Sequence, residues 1–338
     1  MSKSESKSNI TIQDIAKAIN VSASTVSRAL NNHPKISQKT KEKIWEVSKK
    51  LGYLPNIPIY MQKQKNNIVF LLIDSLQNSS IHEFVSAIQN YLIKSNINPI
   101  IKFITNNEYE LFSLTKLVED IEVIGVISIL NDTPFTETIY RTIRESQLPL
   151  VAISHSKIPT VNILPDIYNG AYLATNHLLK QGAKNLVLII ENNENLRNND
   201  LERGFKAAFK AYDNTTFKIL RSSLNKEVLK YEFEQLLLNN HSINGIITSN
   251  NYVANQLHTF LQNKNIKIPE DIMLISFGNE TFINFIAPDI STIEYSSENM
   301  GNKAAKLLLK IIENNPLEDK LLIEPVKLII RTSSMRTQ

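Results

Sequence analysis

The chain has 338 residues, 42% of them apolar and 21% charged, and this composition is that of an ordinary folded protein with two or three domains. It contains no cysteine, which excludes disulfide scaffolds, thiolate zinc sites and cysteine nucleophiles. The polar first residues and the absence of about 18 consecutive apolar residues predict neither a signal peptide nor a membrane span, so we expect a cytoplasmic protein without a membrane partner.

The formal charge of +4 is unevenly distributed along the chain. Residues 1–65 carry 12 lysine and arginine side chains against 4 aspartate and glutamate side chains, a net charge of +8, so the remainder carries −4. A basic N-terminal segment before a slightly acidic body indicates that the first segment meets a polyanion. Because lysine-rich solvated helices produce the same bias, charge alone does not decide for nucleic acid.

Three short helices are predicted within residues 11–52. A capping box of Thr11 and Asp14 begins the first helix, and Ser22 and Ser37 begin the second and third. A linker of only three residues separates the first two helices. Two short helices joined this tightly are typical of a helix-turn-helix, in which small residues at the start of the second helix let its backbone approach phosphates.

The residues of this segment, TIQDIAKAINVSASTVSRALNNHPKISQKTKEKIWEVSKKLGYLPN, closely resemble the N-terminal domain of LacI/GalR-type transcriptional repressors. They include the VSxxTVSRxLN core of that family at Val21–Asn31 and its LGYxPN ending at Leu51–Asn56. The resemblance implies a sequence-specific DNA-binding regulator, expected to be a repressor, that binds a near-palindromic double-stranded operator as a homodimer. A three-helix bundle without a role on DNA is the alternative, and this motif disfavours it.

The resemblance also implies roles for individual residues. Base edges in the major groove would be read by Ala23, Ser24 and Arg28. A guanidinium can bond O6 and N7 of one guanine together, which is worth roughly 1 to 3 kcal/mol of discrimination. Residues at the phosphate-contacting positions of the family would orient the domain without reading sequence, although helix capping alone also explains two of them: Thr11, Ser22, Thr25, Ser27, Asn31, Tyr53 and Asn56.

Residues 57–67 are predicted to form a hinge between a DNA-binding domain at 1–56 and an effector-binding and dimerisation domain at 68–338. Relatives insert a leucine from this hinge into the minor groove, and Gln62 stands at that position here, preceded by Met61. An amide is a poor wedge, because unstacking a base step costs a few kcal/mol that apolar insertion normally offsets. Either Met61 takes the role or the DNA bend is smaller.

From residue 68 onward, apolar runs alternate with helical patterns, which predicts parallel sheets in two successive α/β halves with a cleft at the carboxyl ends of the strands. The predicted strands are 68–73, 99–104, 123–129, 150–153, 186–190, 243–248 and 272–276. The predicted helices are 82–94, 109–121, 135–147, 168–181, 199–212, 226–239, 252–264 and 297–313. This region resembles the two-lobed, periplasmic-binding-protein-like body of the same repressors.

The resemblance implies an effector cleft that contains five polar residues: Asp74, Asn78, Asn169, Asn250 and Asn279. Other ligand anchors are missing, since Leu201 replaces an arginine, Gly278 an aspartate and Leu224 an aromatic residue. A buried hydroxyl left unpaired costs about 1 to 3 kcal/mol, so these losses disfavour a conventional sugar effector. Arg197 and Arg203 could compensate, although we favour their interpretation as solvated helix charges.

No catalytic constellation, metal site or cofactor site is predicted. The six histidines form no i, i+4 pair, and no HExxH, GxSxG or glycine-rich phosphate loop occurs, so we do not expect an enzyme. A solute-binding receptor of the sugar-transport class is the alternative function, but it leaves residues 11–56 unexplained. Within the regulator class, control by a small molecule, by a partner protein or by neither stays open.

Overall fold

The chain divides into two compact units, which we call the head (Met1–Lys65) and the body (Asn66–Gln338). The computed structural model describes residues 11–30, 35–51, 67–74, 80–105, 123–193, 195–223, 225–239, 242–278, 283 and 285–336. The predicted hinge at 57–67 therefore lies outside the described residues except for its last residue.

The described part of the head contains the three predicted helices: α1 (Ile12–Ile19), α2 (Ala23–Leu30) and α3 (Gln38–Leu51). Their core is small and includes Ile15, Val26, Ala29 and Ile44, each at most 1% exposed. Between α1 and α2, Asn20 adopts a left-handed conformation with φ 54°, which asparagine tolerates better than most residues. Its N–H bonds to carbonyls of the last turn of α1, so the chain reverses within a very short linker.

The described body contains twelve strands and seven helices. The strands are β1 (Ile68–Ile73), β2 (Asn98–Phe103), β3 (Val123–Ile129), β4 (Leu150–Ala152), β5 (Val161–Pro165), β6 (Asn185–Glu191), β7 (Thr216–Ser222), β8 (Gly245–Thr248), β9 (Met273–Phe277), β10 (Ser291–Glu294), β11 (Leu321–Glu324) and β12 (Lys327–Ile329). The helices are α4 (Ser80–Lys94), α5 (Pro134–Glu145), α6 (Ile167–Lys180), α7 (Leu196–Ala208), α8 (Lys226–Leu238), α9 (Asn251–Asn263) and α10 (Ser297–Ile312).

These strands form two six-stranded sheets, one in each lobe. The order is β11-β5-β4-β3-β1-β2 in lobe 1 and β12-β10-β9-β8-β6-β7 in lobe 2. All pairings are parallel except that of β10 with β12, which confirms the predicted two-lobed α/β fold with parallel sheets. Every residue of β1 is buried, as expected for a strand with helices on both faces.

The sequence reading missed five strands, β5, β7, β10, β11 and β12, and the predicted helix at 109–121 lies outside the described residues. The missed strands are short or carry polar residues along their length. In β10, for example, the buried residues Ser291 and Thr292 offer no apolar signal. Ser291 is instead held by hydrogen bonds to the C-terminal segment, where its Oγ lies 2.7 Å from that of Ser334.

The two lobes are not strictly successive along the chain, and the prediction of successive halves is wrong in this respect. Helix α10 follows a strand of lobe 2 but packs on lobe 1, where Met300, Ala304 and Leu308 join Leu71 in one core cluster. Strand β11 then extends the sheet of lobe 1, and β12 returns to lobe 2. Three crossovers therefore connect the lobes, after β5, after β10 and after β11.

Helices α6 and α7 of lobe 2 pack closely at Gly204, and this contact gives a first prediction. A Cβ at Gly204 would lie well inside van der Waals distance of the Tyr168 carbonyl oxygen, and 3.0 Å from Cβ of Ala171. Because backbone cannot move aside cheaply, Gly204→Ala is expected to lower the free energy of unfolding by about 3 kcal/mol in urea titrations.

Gly125→Ala is the matched control for this prediction. A Cβ there would meet Cδ1 of Leu308 at 2.9 Å, and this atom is the end of a side chain that can rotate. We expect that variant to lose about 1 kcal/mol. Equal losses in the two variants would contradict the close backbone approach of α6 and α7.

Candidate functional site

The start of α2 is an exposed cluster of hydroxyl groups. Oγ of Ser22 accepts a hydrogen bond from the Thr25 N–H at 3.1 Å and lies 2.8 Å from the hydroxyl oxygens of Ser24 and Thr25. A hydroxyl in this position caps the helix, and the helix dipole places partial positive charge at the same end. The cluster therefore combines hydrogen-bonding groups with a favourable potential for a phosphate.

Of the residues predicted to read bases, Ser24 and Arg28 lie on the face of α2 opposite the core, and Ala23 lies in its exposed first turn. Ala23, Ser24 and Arg28 are exposed, whereas Val26 and Ala29 are buried. Ser24 and Arg28 are four residues apart, so they project from the same side of the helix, one turn apart. Arg28 thus extends from the head and does not contribute to its core.

The other predicted DNA contacts are only partly described. Thr11 is exposed, and both its N–H and its hydroxyl donate to Oδ2 of Asp14, at 2.8 and 2.7 Å. These hydrogen bonds, led by that of the hydroxyl, hold the pKa of Asp14 below its ordinary value. Ser27 is half-buried. Five predicted contacts lie outside the described residues: Asn31, Tyr53, Asn56, Met61 and Gln62.

In the body, a cavity of about 350 Å³ lies between the lobes. Its polar walls are formed where strands β1, β3, β4 and β6 end, as expected for a cleft at the carboxyl ends of parallel strands. Its polar lining is Asp74, Asn131, Asp132, Thr133, Ser154, His155, Glu191, Asn193, Asn195 and Arg197. Apolar side chains, among them Phe84 and Tyr295, complete the wall.

The two lobes contact each other directly at this cavity. Oδ2 of Asp132, from lobe 1, accepts the Leu196 N–H of lobe 2 at 3.0 Å. Leu196 is the first residue of α7, so a carboxylate of one lobe meets the positive end of a helix dipole in the other. Nε2 of His155 also lies 3.8 Å from Oδ2 of Asp200 on the same helix.

Arg197 lies in the cavity wall, and its interpretation as a solvated helix charge is wrong. Its side chain is half-buried, and its Nη2 donates to the Ser249 carbonyl at 2.8 Å. Leu201, one turn later on the same face, is fully buried in lobe 2. Arg203 does fit that interpretation, since it is exposed and pairs with Asp200 at 3.0 Å.

Of the five predicted cleft residues, Asp74 lines the cavity, where its Oδ2 accepts the Asn131 N–H at 2.8 Å. Asn169 and Asn250 are not among the lining residues. Asn169 is exposed in the first turn of α6, and Asn250 caps α9 by accepting the Val253 N–H at 2.9 Å. Asn78 and Asn279 lie outside the described residues.

Sequence reasoning missed most of the polar lining, although a signal for it exists. Asn131 and Asp132 follow β3, Ser154 and His155 follow β4, and Asn193 follows β6, each within three residues of the strand end. Polar residues at these positions are expected to meet at one edge of a parallel sheet. Reading the residues that follow each apolar run would have identified them.

Two family models match the chain. The model described as bacterial regulatory proteins of the lacI family matches residues 11–56, and that of a periplasmic binding protein-like domain matches residues 175–334. The "Probable HTH-type transcriptional repressor ExuR" of Bacillus subtilis (strain 168) is 27% identical over 97% of this chain and 99% of its own length. The chain therefore contains a lacI-family DNA-binding domain and a periplasmic binding protein-like domain.

Other regulators match over similar lengths. The ribose operon repressor of Halalkalibacterium halodurans is 25% identical over 96% of this chain and 97% of its own length. A solved complex of the regulator CelR with cellobiose superposes with a TM-score of 0.70 at 18% identity, covering 96% of this chain and 99% of that one. The protein is therefore a DNA-binding transcriptional regulator and not an enzyme.

Within the part of the chain that the structure describes, no helix has the length and apolar character needed to cross a bilayer. In the same residues, no group of three or more His, Asp or Glu side chains is arranged to hold a metal ion.

Three histidines that are half-buried or buried give a prediction for the pH dependence of stability. Burial lowers the pKa of His155 below its ordinary value of 6.5, and burial likewise lowers the pKa values of His177 and His258. Below pH 6.5 the unfolded chain binds protons that the folded chain does not, so stability falls as the pH drops through this window. Urea titrations at about pH 8 and about pH 5.5 measure the loss in the free energy of unfolding. These values lie on either side of the ordinary histidine pKa of about 6.5.

The variant His155→Gln isolates the contribution of the cavity histidine. Glutamine does not titrate, so this variant is expected to lose less stability than the parent between the two pH values. His177→Gln and His258→Gln serve as comparisons because their histidines lie outside the cavity. A pH dependence identical to that of the parent would contradict the inferred neutral state of half-buried His155.

Proposed function

We propose that this regulator is a repressor that binds a near-palindromic operator as a homodimer and responds to an effector through its body. The exposed face of α2 is the observation that carries this proposal. It presents Ala23, Ser24 and Arg28 to the major groove, while Val26 and Ala29 anchor the helix to the head core. A short helix with a polar outer face and a capped, exposed start suits major-groove docking.

Each residue on this face has a defined part in the proposal. Arg28 bonds a guanine, Ala23 contacts a thymine methyl group, and Ser24 makes a single hydrogen bond to a base. The phosphate contacts orient the head and come from Thr11, Ser22, Thr25, Ser27, Asn31, Tyr53 and Asn56. We retain Met61 and Gln62 as minor-groove residues of a hinge at 57–67, between a DNA-binding domain at 1–56 and the remaining residues 68–338.

Exposed apolar side chains on both lobes support a second copy of the chain as the partner. In lobe 1, the edge strand β2 exposes Ile101 and Phe103, each by 45%. In lobe 2, α8 and α9 expose Tyr231 by 64% and Tyr252 by 59%, and the amide of Gln256 beside them is buried without a hydrogen-bond partner. Large exposed apolar side chains of this kind suit an interface, and two heads are needed to contact two half-sites.

The inter-lobe cavity is the proposed effector site, and a small molecule is the proposed effector. The cavity volume of about 350 Å³ suits a small ligand, and polar groups converge on it from both lobes. A solved lacI-family regulator of Enterococcus faecium, 23% identical to this chain, contains bound ribose. Control by a partner protein is the second candidate. A regulator of this kind acts on chromosomal DNA, so we place it in the cytoplasm.

The assignment of Arg28 to base readout is tested by Arg28→Lys. Lysine keeps the charge but loses the bidentate geometry, so preference for one G·C pair in each half-site should fall by roughly 1 to 3 kcal/mol. The dependence of affinity on salt should stay unchanged, because the number of phosphate charges neutralised is the same. Binding-site selection followed by fluorescence anisotropy at several salt concentrations measures both quantities.

Arg144→Lys is the matched control, since it makes the same exchange at an exposed position of α5 in the body. It should alter neither sequence preference nor salt dependence. If Arg28→Lys selects the same operator sequence as the parent, Arg28 does not read a base.

The proposed dimer surface is tested by Tyr252→Asp. A charge at the centre of an apolar interface should raise the dimer dissociation constant by about tenfold or more. Sedimentation equilibrium measures this constant directly. Ile330→Asp is the control, because Ile330 is also exposed, by 48%, but belongs to neither surface. Dimerisation that survives Tyr252→Asp unchanged would require a different interface.

A further inference from the structure

Acidic side chains outnumber basic ones among the described residues that line the inter-lobe cavity. Among the lining residues that the structure describes, the carboxylates of Asp74, Asp132 and Glu191 are opposed by one guanidinium, that of Arg197. Burial lowers the pKa of His155, so its imidazole is neutral at pH 7. Three negative charges against one positive charge leave the cavity with a formal charge of −2.

A helix N-terminus at the cavity is already engaged by the protein itself. N–H groups in the first turn of a helix ordinarily attract phosphates and carboxylates. At the start of α7, however, Leu196 donates its N–H to Asp132 at 3.0 Å, and Asn198 donates its N–H to Asn195 at 2.7 Å. A carboxylate of lobe 1 therefore occupies the position that an anionic ligand would otherwise take.

The positive group in the wall does not reverse this balance. Arg197 is held against lobe 2 by its hydrogen bond to the Ser249 carbonyl, and the negative charges of Asp132 and Asp200 act on the neighbouring His155. The remaining polar lining, apart from His155, consists of amide groups such as that of Asn131 and hydroxyl groups such as that of Ser154, which both donate and accept hydrogen bonds. Such a set suits ligand hydroxyl groups, and its excess of carboxylates suits a ligand cation.

We propose that the effector is a polyhydroxy compound with an amine, such as an amino sugar, and that compounds with a phosphate or a carboxylate are excluded. This inference rests on the proposed function, in which the inter-lobe cavity holds the effector. Carboxylates attract an ammonium group and repel anions in a partly buried site, where screening by water is weak. The amino form of a sugar should therefore bind more tightly than its uncharged parent, and the parent more tightly than its acid or phosphate.

The experiment compares matched compounds on the full-length protein. Glucose, glucosamine, glucuronate and glucose 6-phosphate, and the corresponding four forms of galactose, are titrated by calorimetry at pH 7. In at least one series, we expect the amino form to bind about tenfold more tightly than the parent sugar. An acid or phosphate that binds as tightly as its parent overturns the proposal. An uncharged sugar that binds more tightly than its amino form also overturns the proposal. So does a failure of all eight compounds to bind at about 10 mM, a concentration that would reveal even weak affinity.

Two variants attribute the preference to the cavity. Glu191 is exposed at the cavity wall, so Glu191→Gln should fold normally and reduce the preference for the amine severalfold. Glu145→Gln, the same exchange at the end of α5 and outside the cavity, should leave the preference unchanged. An equal preference in Glu191→Gln and the parent assigns the binding to another place and overturns the proposal.

Operator binding by the same preparation separates this inference from the proposed function. A parent protein that binds operator DNA but prefers anionic sugars retains its function as a regulator, and only the charge assignment fails. A parent protein that binds no operator contradicts the proposed function, whatever its ligand preference.

Discussion

Neighbouring strands in both sheets of the body run parallel, apart from the pair of β10 and β12, so each connection between strands of one sheet has to return along that sheet. The carboxyl ends of the strands consequently meet at one edge, where the chain leaves the sheet in short polar segments. Those segments supply Asp74, Asp132 and His155 from lobe 1 and Glu191 from lobe 2. Strand direction thus determines where a ligand can contact both lobes.

The three crossovers couple the positions of the two lobes. Glu324 at the third crossover is only 5% exposed and is paired with Lys303 of α10, and Glu294 at the second is paired with Arg331 at 3.0 Å. Removal of one partner would leave an uncompensated charge, so these pairs fix the crossovers where they are. Since Asp132 also binds the start of α7, a ligand in the proposed effector site would act on the same contacts that hold the lobes together.

The sequence indicated the positions of the site residues better in the head than in the body. In the head, the resemblance selects Ala23, Ser24 and Arg28 for base readout, and the structure shows all three exposed on a helix whose buried residues follow from local spacing. In the body, resemblance identified Asp74 but also selected Asn250, whose side chain caps a helix. Position in a motif does not distinguish a capping asparagine from one that faces a ligand.

The sequence by itself determined the local features: the three head helices, the alternation of strands and helices, and the charge difference between the two units. These depend on hydrophobic period, capping residues and turn lengths, which act over a few residues. Only the tertiary structure decided that α10 packs on lobe 1, that polar strands such as β10 complete the sheets, and that Arg197 rather than Leu201 reaches the cavity. Each of these depends on contacts between residues far apart in the chain, which no local pattern records.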